Sequence, residues 1–157
     1  MAKEHHIVGF RIGRETFGVP ISLVHEIVRV PEITSVPDSP GYVEGVINLR
    51  GKIVSVLDLR KRFGEKEIVA TKKNRILVSE VNGKMVGLIV DSASEVLRIP
   101  DSDVHPALSV FGDSEVNYVT GVGKVQGRLI ILVDLNKVMN KGELRRLSET
   151  PAALSAL

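Results

Sequence analysis

The chain is 157 residues long, with 21 Lys and Arg against 19 Asp and Glu and a formal charge of +2. That length suits one unit or two small halves sharing a core, and 43% hydrophobic residues exclude a disordered tail. The absence of cysteine excludes a disulfide framework, thiol catalysis, iron–sulfur clusters and cysteine-based zinc sites, while 4% aromatics and scattered Lys and Arg argue against nucleic acid. His6 to Ile12 alternates toward Gly13 and predicts a first strand, with Glu15 to Ile21 as its return. Ser22 to Val30 sets Leu23, Ile27 and Val30 at helical spacing, a short amphipathic helix, before Pro31, Pro37 and Pro40 mark an irregular connection. Gly45 to Leu49, a turn at Arg50-Gly51 and Lys52 to Leu57 make a hairpin, after which Asp58 caps a short helix ended by Gly64. Arg75 to Val81, Asn82-Gly83 and Lys84 to Val90 make the clearest hairpin. Residues 101–117 read as loop, and Tyr118 to Val125, Gln126-Gly127 and Arg128 to Val133 as another hairpin. Asp134 then caps a further helical segment that gives way to a tail.

The chain repeats itself. YVEGVINLRGKIVSVLDLRK (42–61) matches YVTGVGKVQGRLIILVDLNK (118–137) at Tyr42/Tyr118, Val43/Val119, Gly45/Gly121, Val46/Val122, Gly51/Gly127, Asp58/Asp134, Leu59/Leu135 and Lys61/Lys137. A weaker echo aligns FGVPISLVHEIVRVPE (17–32) with VGLIVDSASEVLRIPD (86–101) through Gly18/Gly87, Glu26/Glu95, Arg29/Arg98 and Pro31/Pro100. Two blocks in the same order imply an internal duplication, with halves at about 13–64 and 83–140. Short strands joined by glycine turns, rich in valine and isoleucine, imply a mostly β fold of two small barrels with short helices, sharing an interface because each half is marginal alone.

No motif points to catalysis. His5, His6, His25 and His105 lack metal-ligand spacing, and no nucleophile elbow is present. The GVGKVQG run at 121–127 lies in a hairpin, not at a strand-to-helix junction, so it does not form a phosphate loop. The duplicated Asp58 and Asp134 read as helix caps, not as a catalytic pair. No enzyme, metal, nucleotide or other cofactor is therefore expected. The longest aliphatic run, Leu129 to Val133, is too short for a signal peptide core or a membrane span, so a cytoplasmic protein without direct membrane insertion is expected.

The stretches GYVEGVINLRGKIVSVLDLRKRFG, VGLIVDSASEVLRIP and YVTGVGKVQGRLIILVDLNKV resemble the CheW family of bacterial chemotaxis coupling proteins, from about His6 to Met139. The resemblance implies a single CheW-like domain over 1–157, of two interlocked five-stranded SH3-like barrels, with 141–157 as a C-terminal helix or tail. It further implies a non-enzymatic adaptor of two-component signal transduction, recruited to membrane-associated receptor arrays. Its partners would be the chemoreceptor cytoplasmic tip and the regulatory domain of a CheA-type histidine kinase. An adaptor of another chemosensory or surface-motility pathway is the alternative, and a small-molecule-binding barrel a more distant one.

The family's receptor-contacting groove maps onto Val24, Glu26, Gly45, Arg50, Gly51, Gly87 and Val96. The residues themselves leave other roles open. Val24 and Val96 suit a core, Gly45 and Gly87 suit close backbone packing, and Glu26, matched by Glu95, suits a scaffold bond. Arg50 is matched by Gln126, so the shared scaffold demands no cation there. It either projects toward a partner or pairs with an acidic neighbour.

Overall fold

The four hairpins form where glycine permits the turn and apolar runs supply the strands. In the computed structural model, which describes residues 3–37, 41, 43–106 and 118–138, they are β1 (Glu4–Ile12) with β2 (Glu15–Pro20), β4 (Val43–Leu49) with β5 (Lys52–Asp58), β6 (Arg75–Val81) with β7 (Lys84–Val90), and β10 (Val119–Val125) with β11 (Arg128–Val133). Three of the turns place two successive residues at positive φ: Arg50 and Gly51 at 53° and 86°, Asn82 and Gly83 at 50° and 81°, Gln126 and Gly127 at 48° and 78°. That is the twist-matched geometry of a two-residue hairpin loop, and it explains why glycine follows each time.

The remaining strands are β3 (Val24–Arg29), β8 (Ser92–Pro100) and β9 (Val104–Pro106), with helices α1 (Leu59–Arg62) and α2 (Leu135–Val138). The helix expected over Ser22 to Val30 is instead a 3-10 turn at Ile21–Leu23 followed by β3. The apolar spacing there fits either period, but Val24, Ile27 and Val28 are β-branched, and β6 offers a ladder from Val24 opposite Ser79 to Arg29 opposite Arg75. The stretch 101–106, read as loop, holds a 3-10 turn and β9; 107–117 and the tail at 141–157 lie outside the described residues.

The strands form two sheets, in the orders β8-β1-β2-β11-β10-β9 and β3-β6-β7-β5-β4. When β1–β5 are matched to β6, β7, β8, β10 and β11, the two orders become the same, with β9 as an extra strand. Each sheet thus takes the leading hairpin of one repeat and three strands of the other. The joints are parallel pairs, Gly18 opposite Leu132 in one sheet and Gly87 opposite Val56 in the other. In each sheet the chain after one edge strand returns to the opposite edge: β9 follows β8 and pairs with β10, and Thr34 follows β3 and bridges to Val46 on β4. The result is two interlocked SH3-like barrels, one with a sixth strand.

The interlock creates three packed layers. Ile7, Ile99, Ile130 and Leu132 fill the first barrel, and Ile47, Val54, Val56, Ile76, Val78 and Ile89 fill the second. Between them a larger cluster takes the alternate residues of the same strands, among them Val8, Phe10, Ile12, Leu57, Leu77 and Leu88. Strands apolar on both faces read as continuous runs such as Val86 to Val90, because both faces are covered.

Four aromatics that look dispersed in sequence converge. Phe10, Phe17, Phe63 and Tyr118 meet in a row with successive centroid separations of 5.9, 5.1 and 4.9 Å, the outer two pairs stacked and the middle one tilted, tying the segment after α1 to the start of β10. Phe63→Leu keeps the apolar volume but breaks two ring contacts, so urea unfolding is expected to show a loss of about 1–2 kcal/mol.

Candidate functional site

Sequence-equivalent positions occupy equivalent places. Gly45 on β4 and Gly121 on β10 each follow a register irregularity and pair with Val56 and Leu132 respectively. A Cβ at Gly45, where φ is +142°, would sit 2.0 Å from the Thr34 carbonyl oxygen, and one at Gly121 would sit 2.6 Å from that of His105. Both glycines admit the strand that closes their barrel. Gly87 is likewise buried, its missing side chain replaced by Ile76 and Val56. For Gly45 and Gly87 the packing role is therefore evident. Gly51 is exposed, and its N–H donates to Asn48 Oδ1 at 2.8 Å, which completes the turn that presents Arg50.

Arg50 and Glu26 meet. Glu26 lies on β3 and Arg50 on the β4–β5 turn, at opposite edges of the second sheet, yet Arg50 Nη2 donates to Glu26 Oε1 at 2.6 Å. The pair therefore spans the barrel closure. Its members differ in access: the Arg50 side chain is 76% exposed and that of Glu26 24%. Arg50 thus pairs with an acidic neighbour while most of its side chain stays exposed. An exposed pair of this kind contributes little to stability, about 1 kcal/mol or less.

The two valines part company. Val24, two residues before Glu26 on β3, is half-buried against the cluster shared by the barrels. Val96, on the β8 edge of the other sheet, is 61% exposed and so is not core. Its repeat counterpart Ile27, next to Glu26, is 38% exposed, an apolar residue beside the ion pair that helical spacing had hidden. The alignment of 17–32 on 86–101 carried the signal, because it sets Ile27 on Val96.

The least anticipated feature is a buried charge network. Asp58 caps α1 by accepting from the Arg60 backbone N–H at 3.0 Å, as expected, and also accepts from Arg60 Nε at 2.9 Å and Nη2 at 3.0 Å. Arg60 Nη1 donates to Asp91 Oδ1 at 3.0 Å, and Asp91 Oδ2 accepts the Gly13 N–H of the β1–β2 turn at 2.7 Å. Burial alone would push the Arg60 pKa down, but the hydrogen bonds and charges of Asp58 and Asp91 outweigh it and hold it above its ordinary value. The network clamps α1, β7–β8 and the leading hairpin together. At the matching place of the other repeat, neutral groups do the same work: Asn82 N–H donates to Asn136 Oδ1 at 2.8 Å, and Asn82 Nδ2 to the Asn136 carbonyl at 3.1 Å.

Among the described residues no three His, Asp or Glu side chains are grouped to hold a metal, and no helix is long and apolar enough to cross a membrane. His5 pairs with Asp101 at 2.7 Å and His25 lies 3.7 Å from Glu80, both at the surface.

The CheW-like domain family model matches residues 6–143. The chemotaxis protein CheW of Rhizobium meliloti is 37% identical over 137 residues, spanning 87% of this chain and 88% of that protein. A probable chemotaxis protein CheW of Rhizobium etli is 35% identical, covering 89% and 90%. The crystal structure of the scaffolding protein TtCheW from Thermoanaerobacter tengcongensis superposes with a TM-score of 0.81 at 36% identity, covering 90% of this chain and 96% of that one.

Proposed function

Because the chain belongs to the CheW-like domain family, we propose that it is a non-enzymatic chemotaxis adaptor coupling the cytoplasmic tips of chemoreceptors to the regulatory domain of a CheA-type histidine kinase. The observation that carries this reading is the family match over residues 6–143, seconded by the likeness to a scaffolding protein. The two Rhizobium relatives are named for chemotaxis, which favours that pathway over surface motility. The protein acts in the cytoplasm, at receptor arrays, and needs no cofactor.

The receptor face is built on the second barrel, around the Arg50–Glu26 pair with Val24 at its base. Gly51 holds the turn, and Gly45 and Gly87 shape the strands beneath. Val96 extends the face at the edge of the first barrel. A side chain that is 76% exposed keeps guanidinium donors for carboxylates or free carbonyls of a helical tip.

Arg50→Gln tests the assignment, since Gln126 already occupies the same turn position at nearly the same φ. The variant is expected to unfold within about 1 kcal/mol of wild type while capture of a receptor cytoplasmic fragment falls and kinase capture does not. Undiminished receptor binding removes Arg50 from the face. Val24→Asp is expected to weaken receptor capture more than kinase capture; equal loss of both with a lowered Tm makes Val24 simply core.

A further inference from the structure

The two barrels differ at one of their ends. Along β1, Ile7 packs inside the first barrel while Val8, Phe10 and Ile12 turn to the shared cluster. By that alternation Gly9 and Arg11 lie on the interior side, with Arg11 nearest the hairpin end. Arg11 is opposite Thr16 on β2 and Ser92 on β8. Around these residues opens a hollow of about 460 Å³, rimmed by Arg14, Glu15, Arg128 and Leu129.

The second barrel serves as an internal control. The matching registers of the leading hairpins set Gly9 on Val78, Thr16 on Met85 and Arg11 on Glu80, and the repeat alignment sets Ser92 on Leu23. Three small residues stand where the other repeat has three large apolar ones, and the missing volume makes room for the hollow. Arg11 stands where its counterpart is acidic, and Arg14 where the counterpart is Gly83. Neither guanidinium is demanded by the shared scaffold. The rim is also fixed in advance, because the Gly13–Asp91 hydrogen bond ties the hairpin carrying both arginines to the end of β7.

We propose that this hollow docks an acidic segment of a partner protein, with carboxylates on Arg11 and Arg14 and an apolar side chain against Leu129. Arg11 and Arg14 against the single carboxylate of Glu15 favour an anionic occupant. Leu129, 64% exposed at the rim, decides between a peptide and a small anion, since only a peptide gives it an apolar partner. The hollow is in the first barrel, whereas the Arg50–Glu26 pair is on the second, so both can be engaged at once.

The test is an NMR titration of the isotope-labelled full chain with a synthetic peptide, acetyl-Glu-Glu-Leu-Glu-Glu-amide. It uses neither receptor nor kinase, so its outcome is separate from that of the adaptor reading. Saturable amide shifts centred on Gly9, Arg11, Thr16 and Leu129 are expected, weakening as salt is raised. Arg11→Gln with Arg14→Gln is expected to weaken binding about tenfold, and Leu129→Ser to weaken it with the charges intact. Glu80→Gln, at the matching place in the second barrel, should change nothing. Absence of saturable shifts, equal binding by the double variant, or the same shifts from inorganic phosphate or from the Gln-for-Glu peptide would overturn the proposal.

Discussion

Arg60→Ala is expected to lower stability by about 3–5 kcal/mol, the usual result of removing one partner from a buried ion pair. The Arg60 side chain is 7% exposed and that of Asp58 3%, so truncation strands a carboxylate away from water. It also frees Asp91 from Arg60 and loosens its hold on the Gly13 turn. At this chain length the loss corresponds to a fall in Tm of about 2–4 °C per kcal/mol. A cycle with Asp58→Asn separates the pair from its surroundings: with the stranded charge neutralised, the second substitution should cost much less than alone. A loss below about 1 kcal/mol for Arg60→Ala would mean that water enters the network and the clamp is weak.

Gly45→Ala is the other change with a large expected effect. Alanine at φ +142° is strained, and its Cβ would overlap the Thr34 backbone, a carbonyl oxygen 2.0 Å away and its carbon 2.7 Å away. Backbone strain and overpacking each cost about 1–3 kcal/mol, so a total of about 3 kcal/mol or more is expected in urea unfolding. Gly121→Ala, with a 2.6 Å approach to His105, should follow in the same direction by a smaller amount. Gly51→Ala, with nothing within 4 Å and φ at +86°, should cost only about 1 kcal/mol. Receptor binding lost by the Gly45 variant in proportion to its unfolding marks Gly45 as scaffold; binding lost with stability intact would make it a contact.

These glycines show what a sequence can disclose. Gly51, Gly83 and Gly127 announce their hairpins because a turn with two positive φ values has few chemical solutions. The duplication announces two alike barrels, and the matching of Gly45 with Gly121 survives to the level of register. Other features are set by distant partners. Leu23, Ile27 and Val30 fit a helical period, and only β6, nearly 50 positions downstream, makes the segment a strand. Exchange of leading hairpins between sheets depends on the parallel pairs β2–β11 and β5–β7, for which neither segment carries a local signal. Arg60 looks like one more cation in a basic cluster until Asp91 arrives from another strand. Of the site, the meeting of Glu26 and Arg50 has no local sequence signal because it happens across the barrel closure. Family likeness supplied those two residues as candidates; geometry supplied the contact.

The proposed adaptor role requires that one copy of this chain bridge two proteins. The direct measurement is co-sedimentation of a CheA-type kinase with a chemoreceptor cytoplasmic fragment, with and without the chain, at fixed salt. An adaptor makes the kinase sediment with the receptor fragment when the chain is added, and Arg50→Gln is expected to lower this while still binding the kinase. A chain that binds neither protein, or binds each only in competition with the other, would contradict it.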